Sequence, residues 1–125
     1  MAKILIVDDD STWRMPFSHH LRDQGHDVLC APDGLDAREM LERHPDLMLL
    51  DLVMPGVDGV HLLAEMRKGY VSSCPVIVVS EDTTPSTREM LADFGVEMFL
   101  GKPGLTPDTL IDRVQRTLKK KRGAG

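Results

Sequence analysis

Short apolar runs alternate with longer amphipathic stretches five times along this chain. The apolar runs have the length of β-strands and occupy residues 2–7, 27–31, 47–50, 75–79 and 96–100. The amphipathic stretches have helical spacing and occupy residues 11–25, 34–44, 60–69, 84–95 and 107–118. This succession predicts an α/β fold, a doubly wound five-stranded parallel sheet with helices on both faces.

Capping residues and prolines mark the ends of the predicted helices. Asp10 and residues 11–12 offer N-cap chemistry for the first helix, and Thr84 followed by Pro85 does so for the fourth. Pro16 would remove a backbone donor from the first helix. We therefore expect that helix to start late or to kink near Pro16.

The apolar faces of the helices predict which side chains enter the core. The residues expected to point inward from the second, fourth and fifth helices are Leu35, Ala37, Met40, Leu41, Met90, Leu91, Phe94, Leu110, Ile111, Val114 and Leu118.

Residues 46–59 contain a continuous apolar run that ends in a carboxylate. The run at 47–50 indicates a strand buried on both faces, and Asp51 follows it directly. Proline and glycine residues then reverse the chain. A buried strand has no structural need for a carboxylate at its end, so Asp51 is a candidate functional residue.

Polar side chains also stand at the ends of the first, fourth and fifth predicted strands. Asp8 and Asp9 follow the first strand, while Ser80 and Lys102 end the fourth and fifth. In an open parallel sheet, ligands bind outside the carboxyl ends of the strands. Three carboxylates there, with Asp51, would repel one another unless a cation lay among them. Because oxygen ligands suit a hard divalent ion, the pattern predicts Mg²⁺.

Composition narrows the class of protein. The chain has 125 residues, enough for one domain with its own core, and a net charge of -5 that argues against direct nucleic-acid binding. The apolar runs are too short to span a membrane. Cys30 and Cys74 have no paired spacing and no signal sequence before them, which favours reduced, structural thiols in the cytoplasm.

From residue 3 to residue 118 the sequence resembles the response-regulator receiver domain of two-component signalling systems, with chemotaxis-regulator-like members. The matching segments share the family's order and spacing and lie at residues 4–9, 45–51, 54–59, 75–80 and 102–103. The resemblance implies the flavodoxin-like strand order 2-1-3-4-5. It also implies a receiver domain over residues 1–120, with a basic and glycine-rich tail, or the start of a linker, at 121–125.

The resemblance implies a phosphorylation chemistry for the acidic residues. Asp51 would be the phosphoacceptor, a nucleophile that takes a phosphoryl group from the phosphohistidine of a histidine kinase or from a small acyl phosphate. Asp9 and Asp51 would hold Mg²⁺, or Mn²⁺ in its place, together with the backbone carbonyl of Val53. Asp8 would contribute to this metal site mostly through water.

Three further residues would respond to the phosphoryl group by the same resemblance. Lys102 would pair with one phosphoryl oxygen, and the hydroxyl of Ser80 would donate to another. Movement of Ser80 would draw the loop after the fourth strand with it. Phe99 would be the aromatic switch residue that turns inward when that loop moves.

The chain departs from the family pattern at three positions. Glu81 replaces a small residue at the mouth of the site, and Val53 puts an apolar side chain beside the route of hydrolytic water. We expect both to slow turnover of the phosphorylated form. Gly104 replaces an apolar residue, which favours a looser loop. The family pattern also suggests a cis peptide bond between Lys102 and Pro103.

The expected partners follow from the resemblance. A sensor histidine kinase or phosphotransfer protein would dock near the first helix, where Trp13 and Met15 are either exposed apolar anchors or ordinary core residues. A downstream effector protein or domain would bind the surface formed by helix 4, strand 5 and helix 5. The sequence does not decide whether phosphorylation also produces a homodimer. Such a domain is not an ordinary enzyme, because it catalyses only its own phosphorylation and dephosphorylation.

Other classes of protein compete with this interpretation. A phosphorylation-independent scaffold with the receiver fold would also bind partners, although the intact acidic, serine and lysine positions argue against it. A haloacid-type phosphatase would need a second acid at position 53, where the chain has valine. A nucleotide-binding enzyme would need a glycine-rich loop after the first strand, where the chain is acidic.

Overall fold

The computed structural model describes residues 2–52 and 58–124, with side chains described as far as Lys121. Residues 53–57, Val53 among them, therefore lie outside the described residues. The strands are β1 Lys3–Val7, β2 Asp27–Ala31, β3 Leu47–Leu50, β4 Val76–Ser80 and β5 Met98–Gly101. The helices are α1 Ser11–Asp23, α2 Gly34–Leu41, α3 Gly59–Lys68, α4 Pro85–Ala92 and α5 Pro107–Ala124.

All strand pairs in the sheet are parallel, and the order is β2-β1-β3-β4-β5. The predicted doubly wound α/β fold and its strand order are therefore confirmed. Strand β3 lies in the middle, and its four residues are all buried, as its continuous apolar sequence predicts. The second strand agrees residue for residue with the prediction, whereas β5 begins two residues later than predicted.

Two apolar clusters cover the two faces of the sheet. Alternate residues of β1 divide between them, because successive side chains of a strand point to opposite faces. Leu5 and Val7 pack with α2, α3 and α4, whereas Ile4 and Ile6 pack with α1 and α5. The carboxyl edge of the sheet lies between these layers.

Two predicted core positions are wrong. Leu35 is 58% exposed and Met90 is 40% exposed, while Ala37, Leu41 and Leu91 are buried as predicted. The α2 and α4 helices each have only eight residues. Such a short helix presents one narrow stripe to the sheet, and Leu35 and Met90 lie outside that stripe.

Helix α1 begins at Ser11, so the late start that was one of the two effects expected from Pro16 is wrong, while the kink stays a prediction. The side chain of Asp10 caps the helix by accepting a hydrogen bond from the Thr12 amide at 3.0 Å. Pro16 is exposed within the helix. The cap and the burial of Phe17 and Leu21 stabilise the helix through the proline.

The predicted tail from residue 121 is helical as far as Ala124, because α5 continues through it. Whether a domain boundary falls at residue 120 stays a prediction. Within the described part of the chain, none of the helices is both long enough and apolar enough to cross a membrane.

Both cysteines are free thiols, as predicted. Burial raises the pKa of the Cys74 thiol to about 12, with a smaller contribution from the nearby charge of Asp46. A thiol that stays protonated is a poor nucleophile, which agrees with a structural role.

Candidate functional site

The register of the sheet brings the predicted site residues to one edge. Val7 pairs with Leu50, so the residues that follow them, Asp8 and Asp51, leave the sheet side by side. The Asp51 amide donates to the Val7 carbonyl at 2.9 Å, which extends this pairing by one step. The sequence could place each acid at a strand end, but their proximity depends on this register.

The other half of the site comes from β4 and β5. Ser80 pairs with Gly101, and the Lys102 amide donates to the Ser80 carbonyl at 2.9 Å. Asp8, Asp51 and Ser80 are all buried, at 1%, 7% and 1% exposure. Polar groups are rarely buried this deeply without a structural or functional reason.

Asp8, Asp9 and Asp51 form an acidic cluster. One carboxylate oxygen from each lies within 4.8 Å of the others, and Asp9 is exposed while Asp8 and Asp51 are buried. Oxygen ligands with one side open to water suit Mg²⁺ or Mn²⁺, which keep several water ligands. The donor set therefore fits the predicted metal, and the fourth predicted ligand, Val53, lies outside the described residues.

Lys102 provides a cation next to this acidic cluster. Its ammonium nitrogen is 2.6 Å from Oδ2 of Asp8 and 3.7 Å from Oδ2 of Asp51, and its side chain is only 7% exposed. Burial acts to lower the pKa of Lys102. The hydrogen bond to Asp8 and the charges of Asp8, Asp51 and Asp10 act more strongly together and raise this pKa above 10.5. Lys102 is therefore firmly charged.

Local hydrogen bonds fix the position of Asp8. Its Oδ1 accepts from the Asp10 amide at 2.8 Å, and its backbone carbonyl accepts from the guanidinium of Arg14. The carboxylate of Asp10 is occupied by the cap of α1, and its side-chain hydrogen bond with Thr12 lowers its pKa. Asp10 is thus an N-cap, as predicted, rather than a member of the acidic cluster.

Ser80 connects the site to the start of α4. Its Oγ accepts from the Asp82 amide at 3.1 Å. Asp82 in turn accepts from the Thr84 amide at 3.0 Å and from the hydroxyl of Thr87 at 2.7 Å. These bonds lower the pKa of Asp82, and the hydrogen bond from the Thr84 backbone has the largest effect. Ser80 is therefore connected through Asp82 to the first turn of α4.

Two glycines allow close approach of the backbone near the site. A β-carbon at Gly59 would lie 2.5 Å from the Asp51 carbonyl oxygen, so α3 can begin beside Asp51 only with glycine there. A β-carbon at Gly101 would lie 2.7 Å from Cγ2 of Thr83. The loop after β4 therefore rests directly on the end of β5.

The predicted cis bond between Lys102 and Pro103 is wrong, because the described peptide bonds are all trans. The Leu105 amide donates to the Lys102 carbonyl at 3.1 Å, and Gly104 has a φ of +78°. Proline followed by a glycine of positive φ is the pattern of a type II turn, which uses a trans proline. Gly104 thus completes a closed turn at the point where a looser loop was expected.

Phe99 and Glu81 lie at the rim of the site. The half-buried ring of Phe99 is covered by the guanidinium of Arg88 on α4, whose central carbon lies 4.8 Å from the ring centroid. Glu81 is exposed on the loop after β4. Neither arrangement tests the predicted switch and access roles, which stay predictions.

Trp13 is a neighbour of the site, as its position in the sequence close to Asp8 and Asp9 indicates, but its contact with Lys102 was not predicted. Its ring centroid is 4.9 Å from the ammonium nitrogen of Lys102, and its ring stacks on Phe17. The sequence left open whether Trp13 and Met15 are exposed docking anchors or core residues. Trp13 is half-buried, whereas Met15 is 64% exposed. The proximity of Trp13 to the acidic cluster in sequence was the one available signal.

Comparisons with known proteins agree with this geometry. The family model of the response regulator receiver domain matches residues 4–115. A CheY-like receiver domain from Methanospirillum hungatei JF-1 has 23% identity and a TM-score of 0.91, over 100% of this chain and 99% of the other. The Vibrio cholerae chemotaxis protein CheY4 has 30% identity and a TM-score of 0.82, over 93% and 98%.

The receiver domain of the Francisella response regulator 1452 has 29% identity and a TM-score of 0.85, over 97% of this chain and 99% of the other. The matched residues include Asp8, Asp9 and Asp51 as well as Ser80 and Lys102. The chain therefore belongs to the response regulator receiver domain family, whose members are signalling modules that phosphorylation switches.

Proposed function

We propose that Asp51 accepts a phosphoryl group from the phosphohistidine of a sensor histidine kinase or phosphotransfer protein, or from a small acyl phosphate. The observation that carries this proposal is the arrangement around Asp51. Its buried carboxylate shares the acidic cluster with Asp8 and Asp9 and lies 3.7 Å from the Lys102 ammonium. A nucleophile, a metal-binding donor set and a cation for the developing charge thus meet at one point.

In the transfer, a carboxylate oxygen of Asp51 attacks phosphorus while the bond from phosphorus to the donor imidazole nitrogen, or to the acyl oxygen, breaks. The electron pair of that bond leaves with the donor. Asp8, Asp9 and Asp51, with the backbone carbonyl of Val53, would hold the metal. When bound, Mg²⁺ or Mn²⁺ would neutralise charge on the cluster and on the transferring phosphoryl oxygens.

Lys102 and Ser80 would bind the phosphoryl group once it is on Asp51. Lys102 is already firmly charged, and it would exchange part of its contact with Asp8 for a phosphoryl oxygen. Ser80 would rotate its hydroxyl to donate to another oxygen, which changes its bond with Asp82. Hydrolysis of the acyl phosphate would return the domain to its starting state.

The output surface would be formed by α4, β5 and α5. Ser80 is linked to the first turn of α4, and Phe99 on β5 contacts Arg88 of α4. Converting a mostly inactive population into a mostly active one needs a preference of roughly 5 kcal/mol, which a few charge-assisted hydrogen bonds to a phosphoryl group can supply. This surface would bind an effector protein or domain or, on phosphorylation, a second copy of the domain.

The kinase would dock beside the acidic cluster, near the start of α1. Met15 is an exposed apolar side chain there, at 64% exposure. We place these events in the cytoplasm and assign the domain no direct contact with nucleic acid or membrane, which the net charge of -5 supports.

The decisive experiment is incubation with acetyl phosphate and Mg²⁺, followed by intact mass measurement. Wild-type protein should gain one phosphoryl group, whereas Asp51→Asn and wild type in excess chelator should gain none. Asp46→Asn, which changes an exposed acid before β3, is the matched control and should be modified like wild type. A wild-type protein that stays unmodified would instead support the phosphorylation-independent scaffold.

The metal can be tested separately through Trp13, the single tryptophan of the chain. We expect Mg²⁺ to change the emission of Trp13, and we expect Asp9→Ala to abolish the change. A response of equal size in Asp9→Ala would show that the ion binds elsewhere.

A further inference from the structure

Two carboxylates and an aromatic ring lie close to the ammonium group of Lys102. The carboxylates are those of Asp8 and Asp51, at 2.6 Å and 3.7 Å from the nitrogen. The ring is that of Trp13, whose centroid is 4.9 Å away. A cation at this distance from an indole face is attracted by the negative face of the ring.

The Trp13 ring is itself held firmly. It stacks on Phe17 with a centroid distance of 4.5 Å and an interplanar angle of 28°. Phe17 is 7% exposed and belongs to the apolar cluster between α1, α5 and the sheet. The indole is therefore supported from the core side by a buried ring, while its other neighbour is the Lys102 ammonium.

Lysine has a flexible stem and a compact charge, so its place within an acidic site must be set by its neighbours. The carboxylates alone would allow the ammonium to swing outward and recover water. The Trp13 ring blocks this outward movement on one side, which favours the position of the ammonium between Asp8 and Asp51. From there only a short movement would bring it to a phosphoryl oxygen on Asp51.

We propose that Trp13 is a positioning residue for Lys102, which keeps the ammonium group beside Asp51 for phosphoryl transfer. This inference rests on the proposed function, because it assigns Trp13 a part in that reaction. Trp13 acts only through Lys102 and does not contact the reacting atoms. An aromatic residue at this position can therefore replace it, while an aliphatic residue cannot.

The first test compares initial rates of modification by acetyl phosphate and Mg²⁺. Trp13→Leu should lower the rate by about 5-fold or more, as expected for a desolvated cation–π contact, and Trp13→Phe should restore most of the rate. Tyr70→Leu is the control, because it removes a 75% exposed aromatic side chain outside the site. Urea denaturation of each variant establishes that it is folded before its rate is compared.

The second test asks whether Trp13 acts through Lys102. In a Lys102→Met background, Trp13→Leu should cause no further loss of rate, since the cation that it positions is gone. A loss of the same size in both backgrounds would overturn the proposal. The positions themselves can be followed by nuclear magnetic resonance, because the indole ring current should shift the ε-methylene signals of Lys102 upfield in wild type and not in Trp13→Leu.

The outcomes separate the two proposals. Modification of wild type with an unchanged rate in Trp13→Leu would overturn the role of Trp13 alone. Failure of wild type to be modified at all would overturn the proposed function and the role of Trp13 with it.

Discussion

The ammonium group of Lys102 forms its shorter ion pair with Asp8, at 2.6 Å. Asp8 is 1% exposed, so this pair replaces water that the carboxylate would otherwise bind. Lys102 therefore has a structural role before any phosphoryl group arrives. Its loss would leave a buried charge without its nearest cation.

Lys102→Met should lower the free energy of unfolding at neutral pH by about 3 kcal/mol, the cost of breaking a buried ion pair on one side. The folded-state pKa of Lys102 is raised, so its contribution is complete below pH 10.5 and is lost as the pH rises through the folded value. The difference between wild type and variant should therefore shrink above pH 10.5. Urea denaturation measures this, with the exposed Lys120→Met as control. Equal losses in the two variants would contradict the prediction.

The same Lys102→Met substitution should strengthen Mg²⁺ binding by about 10-fold, because it removes a positive charge that competes for the acidic cluster. Isothermal titration calorimetry in low-salt buffer measures the dissociation constant directly. Lys120→Met again serves as the comparison, since it removes the same charge from an exposed site on α5. Weaker or unchanged Mg²⁺ binding in Lys102→Met would argue against a metal among Asp8, Asp9 and Asp51.

Arg88→Gln should make the active arrangement easier to reach. The Arg88 guanidinium lies 4.8 Å from the ring centroid of Phe99 and stabilises the ring in its present place. If Phe99 turns inward on activation, removing this contact destabilises only the inactive arrangement. Binding of beryllofluoride, a phosphoryl analogue, should then tighten by about 2- to 5-fold. Fluorine resonance of labelled phenylalanine can follow the ring. Arg67→Gln on α3 is the control, and weaker binding in Arg88→Gln would refute the prediction.

Glu81→Ala combined with Val53→Asn should shorten the lifetime of the phosphorylated form by about 5-fold, because it removes a long side chain from the mouth of the site and an apolar group from the route of water. Glu81 is exposed on the loop after β4, whereas Val53 lies outside the described residues. The decay of the phosphoryl adduct after donor removal gives the rate by intact mass. Glu89→Ala, an exposed acid on α4, should leave it unchanged. An unaltered lifetime in the double variant would contradict this hypothesis.

Pro16→Ala should raise the free energy of unfolding by about 1–2 kcal/mol, since alanine restores a backbone donor inside α1 while the unfolded chain gains some freedom. Pro107→Ala is a matched control, because Pro107 is the first residue of α5, where its amide would have no partner in the helix. Thermal and urea denaturation should show a higher free energy of unfolding for Pro16→Ala than for Pro107→Ala. A gain in Pro107→Ala as large as that in Pro16→Ala would be inconsistent with this account.

The succession of strands and helices could be predicted from the sequence, as could the polar residues at the ends of β1, β3, β4 and β5. Strand β2 falls on the predicted residues, and β3 is buried throughout, as an uninterrupted apolar run requires. These features are local, because strand length, apolar periodicity and caps depend on neighbours in the chain. Asp51 could be singled out for the same reason. The strand order came from the family resemblance and not from periodicity.

Which side chains meet depends on the tertiary structure. Several contacts join residues that are distant in the chain. Lys102 pairs with Asp8, the Trp13 ring lies against the Lys102 ammonium, and the Arg88 guanidinium covers the Phe99 ring. The exposure of Leu35 and the trans bond at Pro103 also departed from expectation. Such contacts depend on sheet register and on the packing of helices against it, to which residues distant in the chain contribute. Local patterns cannot carry that information, because each is compatible with several packings.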